Sequence, residues 1–326
     1  MEDASLKCVV NYAQSFTDKE NYCERQFING GPFWHYFTDG TKQEIIFTNA
    51  NDFKVGINQL AISASRFNVR IIAFALMSNH IHVIAQSPMI NGMNMVQQFA
   101  SKIKYYLKSQ NRTYSNSLLN VEAPIEITNL KMMRNEIVYV IRNGYVADAN
   151  YTPVSYPWGS GRLYFINDIL DGRNLLSFNE LPFTVKRTIL MARVSDLPDN
   201  YIVSGGMIDS GMIHPASFCD YKFGESFFRD AHHYFNMLSK DFEAYSEIAK
   251  RLNDSIFYTD EEMYSAISQY CRKIYGVSIP QIVDASQKIE LAKKMHNDFN
   301  CSNKQIQRIL KLNNSILDTI FPKTVQ

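Results

Sequence analysis

The sequence predicts an α+β fold, and three observations carry that prediction. Over residues 33–145, short β-prone runs alternate with segments whose apolar residues recur at helical spacing. Two of the β-prone runs stand two residues apart, the spacing of a hairpin, so their strands run antiparallel. Beyond about residue 165 the pattern becomes mixed and mostly helical.

The elements follow in order. Residues 1–31 are polar and read as a partly loose segment. Phe33 to Thr38 reads as a strand stopped by Asp39-Gly40. Asp52 is placed to cap a helix whose apolar positions are Phe53, Ile57, Leu60, Ile62 and Phe67. Arg70 to Met77 is a second strand, Ser78-Asn79 a turn, and His80 to Gln86 a third strand. Met95, Phe99, Ile103, Tyr106 and Leu107 mark one face of a helix that starts after Gly92. Ile125 to Ile127 reads as a short strand. Leu130 to Tyr145 reads as a helix ended by Asn143-Gly144. This β-α-β-β-α-β-α order suits an antiparallel sheet with helices packed on it, a ferredoxin-like arrangement. The turn-rich Tyr156 to Gly161 marks a boundary. The resulting division is 1–31, 32–165, 166–285 and 286–326, with Asn200 to Tyr221 read as loop.

Composition narrows the function classes. A hydrophobic content of 46 % suits a chain that buries a core and excludes a disordered or fibrous one. The apolar run Ile71 to Met77 is too short to span a membrane, and the first residues lack a signal-peptide pattern. Cys8, Cys23, Cys219, Cys271 and Cys301 are odd in number and never form a C-x-x-C pair, which points to free thiols in a reducing cytoplasm. The net charge of +1 divides unevenly: 15 Lys+Arg against 12 Asp+Glu in residues 1–165, 9 against 16 in 166–269, and 9 against 4 in 270–326. Basic ends around an acidic middle suit a protein that touches a polyanion at two places, although ordinary solvated faces give the same count.

Two local patterns carry chemistry. In Asn79-His80-Ile81-His82-Val83-Ile84, alternate residues of a strand share a face, so His80 and His82 project together. They can chelate one divalent metal or stand as an incidental pair. In Glu136 to Asn143, Tyr139 and Asn143 are four apart and occupy one helical face. A phenol and an amide there can serve a metal held by the strand, or simply pack.

Taken together these segments resemble a family. Leu76 to Ile84 is similar to the histidine–hydrophobe–histidine motif of single-tyrosine HUH transposases, above all the REP-associated tyrosine transposases and the IS200-like insertion-sequence enzymes. Ile137 to Asn143 resembles that family's tyrosine helix, and Tyr156-Pro157-Trp158-Gly159-Ser160 its tail. The resemblance covers residues 30–162. Where the family often has proline and then Arg-Ala-Gly after the asparagine, this chain has Gly144-Tyr145-Val146-Ala147-Asp148. The resemblance implies a ferredoxin-like HUH nuclease domain and a strand transferase that cleaves and rejoins single-stranded, hairpin-bearing DNA. It implies Tyr139 as nucleophile, a 5′-phosphotyrosine intermediate, and Mg²⁺ or Mn²⁺ held by His80, His82 and Asn143.

The remaining expectations concern DNA contacts. Lys102, Lys104 and Lys108 stud the polar face of one helix and read as phosphate contacts. Tyr106 reads as core. Trp34, Tyr36 and Trp158 can stack on bases, with packing the expected duty of at least two. At the distal end, helices over Lys288–Phe299, Gln305–Leu310 and Ser315–Phe321 are spaced like a helix-turn-helix module, with Ser302 to Gln305 as a capping box and Lys304, Gln305 and Arg308 on its recognition surface. His214, His232 and His233 read as surface residues. The expected partner is single-stranded or hairpin DNA, with no membrane, for a monomer or homodimer. Two rivals stay open: a domesticated DNA-hairpin-binding protein that cuts nothing, and a His-x-His zinc hydrolase with an acidic ligand on the tyrosine helix.

Overall fold

The computed structural model describes residues 2–38, 45–115, 118–147, 151–166, 175–191, 206–240, 260–277, 279–299 and 301–321. The strand stop at Asp39-Gly40 and the segment 200–205 lie outside them. The chain divides into two compact units, Met1–Lys240 and Asp241–Gln326. The division falls elsewhere than the boundaries read at 165 and 285, because the described parts of 166–240 pack onto the preceding elements.

The first unit is α+β. Strands β1 (Phe33–Phe37), β2 (Arg70–Leu76), β3 (Ile81–Gln86) and β4 (Ile125–Glu126) form one sheet in the order β2-β3-β1-β4, every neighbour antiparallel. Helices α2 (Ala50–Arg66) and α3 (Met89–Ser109) pack side by side on one face. There Tyr36, Phe74, Ile81 and Val83 meet Ile57, Leu60, Met95, Phe99 and Ile103 in the main core. Helix α4 (Leu130–Ala147) contacts β2 and β3. Because strand side chains alternate, the residues between those core positions, His82 on β3 and His35 and Phe37 on β1, turn to the other face.

Several local expectations shift. The first residues are helical: α1 runs from Glu2 to Gly30. Its described anchors are ionic and aromatic, with Glu20 accepting two bonds from Arg134 at 2.7 and 3.0 Å and the Phe27 ring 5.2 Å from Phe33. Such anchors leave little apolar periodicity to read. The cap of α2 is Asn49, whose side chain accepts from the N–H groups of Asn51 and Asp52. Asp52 instead accepts from Thr48, Tyr106 and Arg112. Helix α3 starts at Met89, one turn early, and Gly92 lies inside it, where a Cβ would strike the Tyr36 ring. Helix α4 runs through Asn143-Gly144. Gly144 serves close packing, since a Cβ there would meet the Tyr156 ring.

The exposed flank of β2 is covered by later chain. Tyr156 donates to the Leu76 carbonyl at 2.7 Å, the Trp158 carbonyl accepts from Leu76 N–H at 2.9 Å, and Ser160 Oγ accepts from Phe74 N–H at 2.9 Å. Tyr164 donates to the Ile72 carbonyl and Asp220 N–H to that of Ile71. These bonds satisfy an edge that would otherwise present open backbone groups.

The stretch read as loop holds a hairpin. β5 (Leu176–Ser177), β6 (Met207–Asp209) and β7 (Met212–Ile213) make a small antiparallel sheet. Ser210 and Gly211, at φ of 52° and 81°, turn the hairpin. With α5 (Phe183–Leu190) this sheet buries Phe178, Leu181, Ile189 and Ile208 against Ala61 and Ile62 of α2. Helices α6 (Tyr221–Glu225) and α7 (Ala231–Lys240) complete the unit.

The second unit is helical among its described residues: α8 (Asp260–Tyr275), α9 (Ala285–Phe299), α10 (Asn303–Leu310) and α11 (Asn314–Ile320). The last three match the expected helices within three residues at each end. Helix α10 contacts each of the others and buries Ile306, Ile309 and Leu310. Among the described residues no helix is long and apolar enough to cross a membrane.

Candidate active site

The antiparallel pairing of β1 with β3 sets the site. Phe37 stands opposite His82 and His35 opposite Ile84, so the two histidines are diagonal neighbours on one face. His80 sits at the mouth of the β2–β3 hairpin, where its carbonyl accepts from Met77 N–H at 2.9 Å. A line of short contacts results. Glu136 Oε2 lies 2.9 Å from His35 Nδ1, His35 Nε2 lies 3.0 Å from His82 Nδ1, and His82 Nε2 lies 3.1 Å from His80 Nε2. His80 Nδ1 lies 2.7 Å from the Asn79 side-chain oxygen. All four ionisable groups in the line are buried.

This line dictates proton positions. A carboxylate and an amide oxygen can only accept, so His35 and His80 each carry a proton on Nδ1. The lone pair on His35 Nε2 then accepts a proton from His82 Nδ1. With neutral rings, His82 Nε2 then presents a lone pair toward His80 Nε2, 3.1 Å away. Two imidazole nitrogens at this separation can share a proton in a hydrogen bond or hold one metal ion. Ligands at right angles about 2.1 Å from an octahedral ion stand roughly 3.0 Å apart, so the donor pair fits a divalent metal. Imidazole favours Mn²⁺ over Mg²⁺. Among the described residues, no three His, Cys, Asp or Glu side chains converge as a metal cage. The resemblance assigns the third protein ligand to the amide of Asn143.

Helix α4 brings the phenol. Glu136, Tyr139 and Asn143 are spaced three and four apart, which aligns them on one face. The Tyr139 ring stands edge-on to His82, centroids 5.4 Å apart at 90°, and 6.1 Å from His35. Tyr139 is 1 % exposed and Asn143 3 %. His82 therefore meets both His80 and Tyr139, and Asn143 lies buried one turn along. Sequence reasoning missed His35 and gave Glu136 no role beyond its place on the tyrosine helix, where the zinc-hydrolase rival needs an acidic ligand. The Glu136 carboxylate instead bonds His35. The available signal was a polar residue inside an apolar run: His35 within Phe33 to Phe37, and Glu136 before Ile137-Val138.

Other residues singled out in the sequence lie elsewhere. Lys102, Lys104 and Lys108 are on α3, which packs against the sheet face opposite His82, with Lys108 exposed and the other two partly so. Tyr106 is core: its hydroxyl donates to Asp52 at 2.8 Å, and burial, then this bond, raise its pKa above the ordinary phenol value. Tyr36 is buried and Trp158 stacks on Phe53 at 4.8 Å, so both pack rather than offer a platform for bases. In the second unit Lys304 and Arg308 are exposed and Gln305 half-buried on α10. Ser302 caps that helix by accepting from Gln305 N–H. His232 is exposed, but two expected surface histidines are not. His214 is buried and accepts from Ala216 N–H. His233 is half-buried and, through burial and then the Arg229 charge, drops to a pKa of about 4.

Compared with protein-family models, curated proteins and solved structures, the chain matches none.

Proposed function

We propose that this chain is a metal-dependent strand transferase of the single-tyrosine HUH kind, acting on single-stranded, hairpin-bearing DNA. The observation that carries the reading is the approach of His80 Nε2 to within 3.1 Å of His82 Nε2, with the Tyr139 ring edge-on to His82. The strand order β2-β3-β1-β4, with two helices on one face and the tyrosine helix against the other, agrees with a ferredoxin-like HUH domain. In this reading the Tyr139 oxygen attacks a backbone phosphorus and the bond to the 3′-oxygen breaks. The phenol gives up its proton and the departing 3′-oxygen gains one, leaving a 5′-phosphotyrosine and a 3′-hydroxyl. The bond energy is retained, so rejoining needs no nucleotide cofactor. A bound divalent ion supplies polarisation of the scissile phosphate and charge stabilisation at the leaving oxygen. The test is incubation of labelled hairpin-bearing single strands with protein and Mn²⁺, followed by denaturing electrophoresis. A protein–DNA adduct is expected in the wild type and absent in Tyr139→Phe.

A second reading has one observation in its favour. Tyr139 is almost fully enclosed, as suits a protein that binds hairpins and cuts nothing. Binding without any adduct in Mn²⁺ would select it.

A further inference from the structure

We infer that Glu136 and His35 are positioning residues that fix the tautomer of His82 and so create the metal-binding donor pair. The inference rests on the metal-centre reading above. The argument begins with burial. The side chains of Glu136 and His35 are fully enclosed, and a carboxylate in such a place is costly unless it is bonded and a cation offsets it. Its bond to His35 Nδ1 at 2.9 Å supplies the first need. The bond also has a consequence two rings away. A carboxylate cannot donate, so His35 must present a proton to it and keep its lone pair on Nε2. That lone pair, 3.0 Å from His82 Nδ1, can only accept, so the His82 proton is held on Nδ1 and its Nε2 faces His80 as a donor of electrons. Without Glu136 the His35 proton is at liberty to sit on Nε2. His82 would then carry its proton on Nε2, pointing it at the place a metal would occupy.

The line also orients. Carboxylate–histidine pairs behind a ligating imidazole fix ring direction and raise ligand basicity. Here the pair is extended by one ring, because His35 comes from β1 and Glu136 from α4, while His82 comes from β3. Three elements are thereby tied at one point. Neither positioning residue faces His80, whose proton is placed independently by Asn79.

The test uses the full chain, without DNA, and reads Mn²⁺ binding by the loss of the free-ion electron paramagnetic resonance signal. Wild type is expected to take up one ion. Glu136→Leu, which removes the acceptor at His35 Nδ1, is expected to bind about 10- to 100-fold more weakly. Nitrogen NMR of the apo wild type is expected to show His82 protonated on Nδ1. A folded Glu136→Leu protein with unchanged Mn²⁺ affinity would overturn the inference. So would a His82 protonated on Nε2 in the wild type, a readout that stands even where a variant does not fold. A wild type that takes up no Mn²⁺ would overturn the metal-centre reading beneath it.

Discussion

At the scale of single residues, geometry separates the tyrosines. Tyr139 stands beside two imidazoles, His82 and His35, whereas Tyr106 donates to Asp52 on the far side of the sheet. Replacing Tyr139 by Phe removes one oxygen and little volume. Hairpin binding should persist in a mobility-shift assay while cleavage and the denaturant-stable adduct vanish. His80→Ala or His82→Ala should also abolish cleavage, and raised Mn²⁺ should restore part of it by mass action. No Mn²⁺ concentration should restore Tyr139→Phe. Asp52 makes a separate prediction. Burial pushes its carboxyl up, but the two bonds from Thr48 and those from Tyr106 and Arg112 outweigh it and hold it below the usual carboxylate value. A carboxyl whose folded pKa is depressed stabilises the protein above its unfolded value, about 3.9, and loses that contribution as pH falls through the lower folded value. Thermal unfolding should therefore show wild type losing more stability than Asp52→Asn between pH 7 and pH 3. Asp52→Ala should cost roughly 2–4 kcal/mol at neutral pH, since it strands several donors.

At the scale of elements, contacts override intrinsic preference. By propensity, Gly144→Ala inside α4 should stabilise the helix by up to about 1 kcal/mol. The Tyr156 ring occupies the space the new methyl needs, and overpacking of this kind costs about 1–3 kcal/mol. The steric effect is the larger, so Gly144→Ala should lower the melting temperature. Pairing it with Tyr156→Ala should recover part of the helix-propensity gain. The same two residues explain a boundary that sequence alone misplaces. Asn143-Gly144 has the composition of a helix stop, yet the helix continues because Tyr156, anchored on the Leu76 carbonyl, packs against the glycine. Similarly, β6 and β7 are too short to show alternation, and only the positive φ angles at Ser210-Gly211 declare the turn.

At the scale of the whole molecule, the two units give two kinds of prediction. Helix α8 packs against α10, so a truncation after residue 285 would strip α8 of its partners and expose Met263, Ile267 and Cys271. A truncation after residue 240 should unfold cooperatively in a thermal scan, whereas one after 285 should aggregate. If the second unit binds DNA as its exposed Lys304 and Arg308 propose, Arg308→Ala should weaken hairpin binding without regard to sequence. It should also reduce the slope of log affinity against log salt by about 0.7–0.9 for the lost phosphate contact. An unchanged slope in a titration from low to moderate salt would assign this unit a structural role.

The sequence by itself determined the periodic parts of this protein. The strands of the β2–β3 hairpin, the apolar face of α3, the shared face of His80 and His82, and the last three helices all follow from repeats of two or about 3.6 residues. Those repeats are local and survive in the chain without its fold. Only the tertiary structure decided what depends on distant pieces of chain meeting. It placed His35 from β1 and Glu136 from α4 behind His82, and along the chain His82 and Glu136 stand 47 and 101 residues from His35. It put the α3 lysines on the sheet face away from the histidines and laid Tyr156 to Tyr164 along the edge of β2. A lone buried histidine or glutamate has no period to reveal it. Its position is set by the requirement that a buried polar group find a partner, and that partner is known only once the strands and helices are in place.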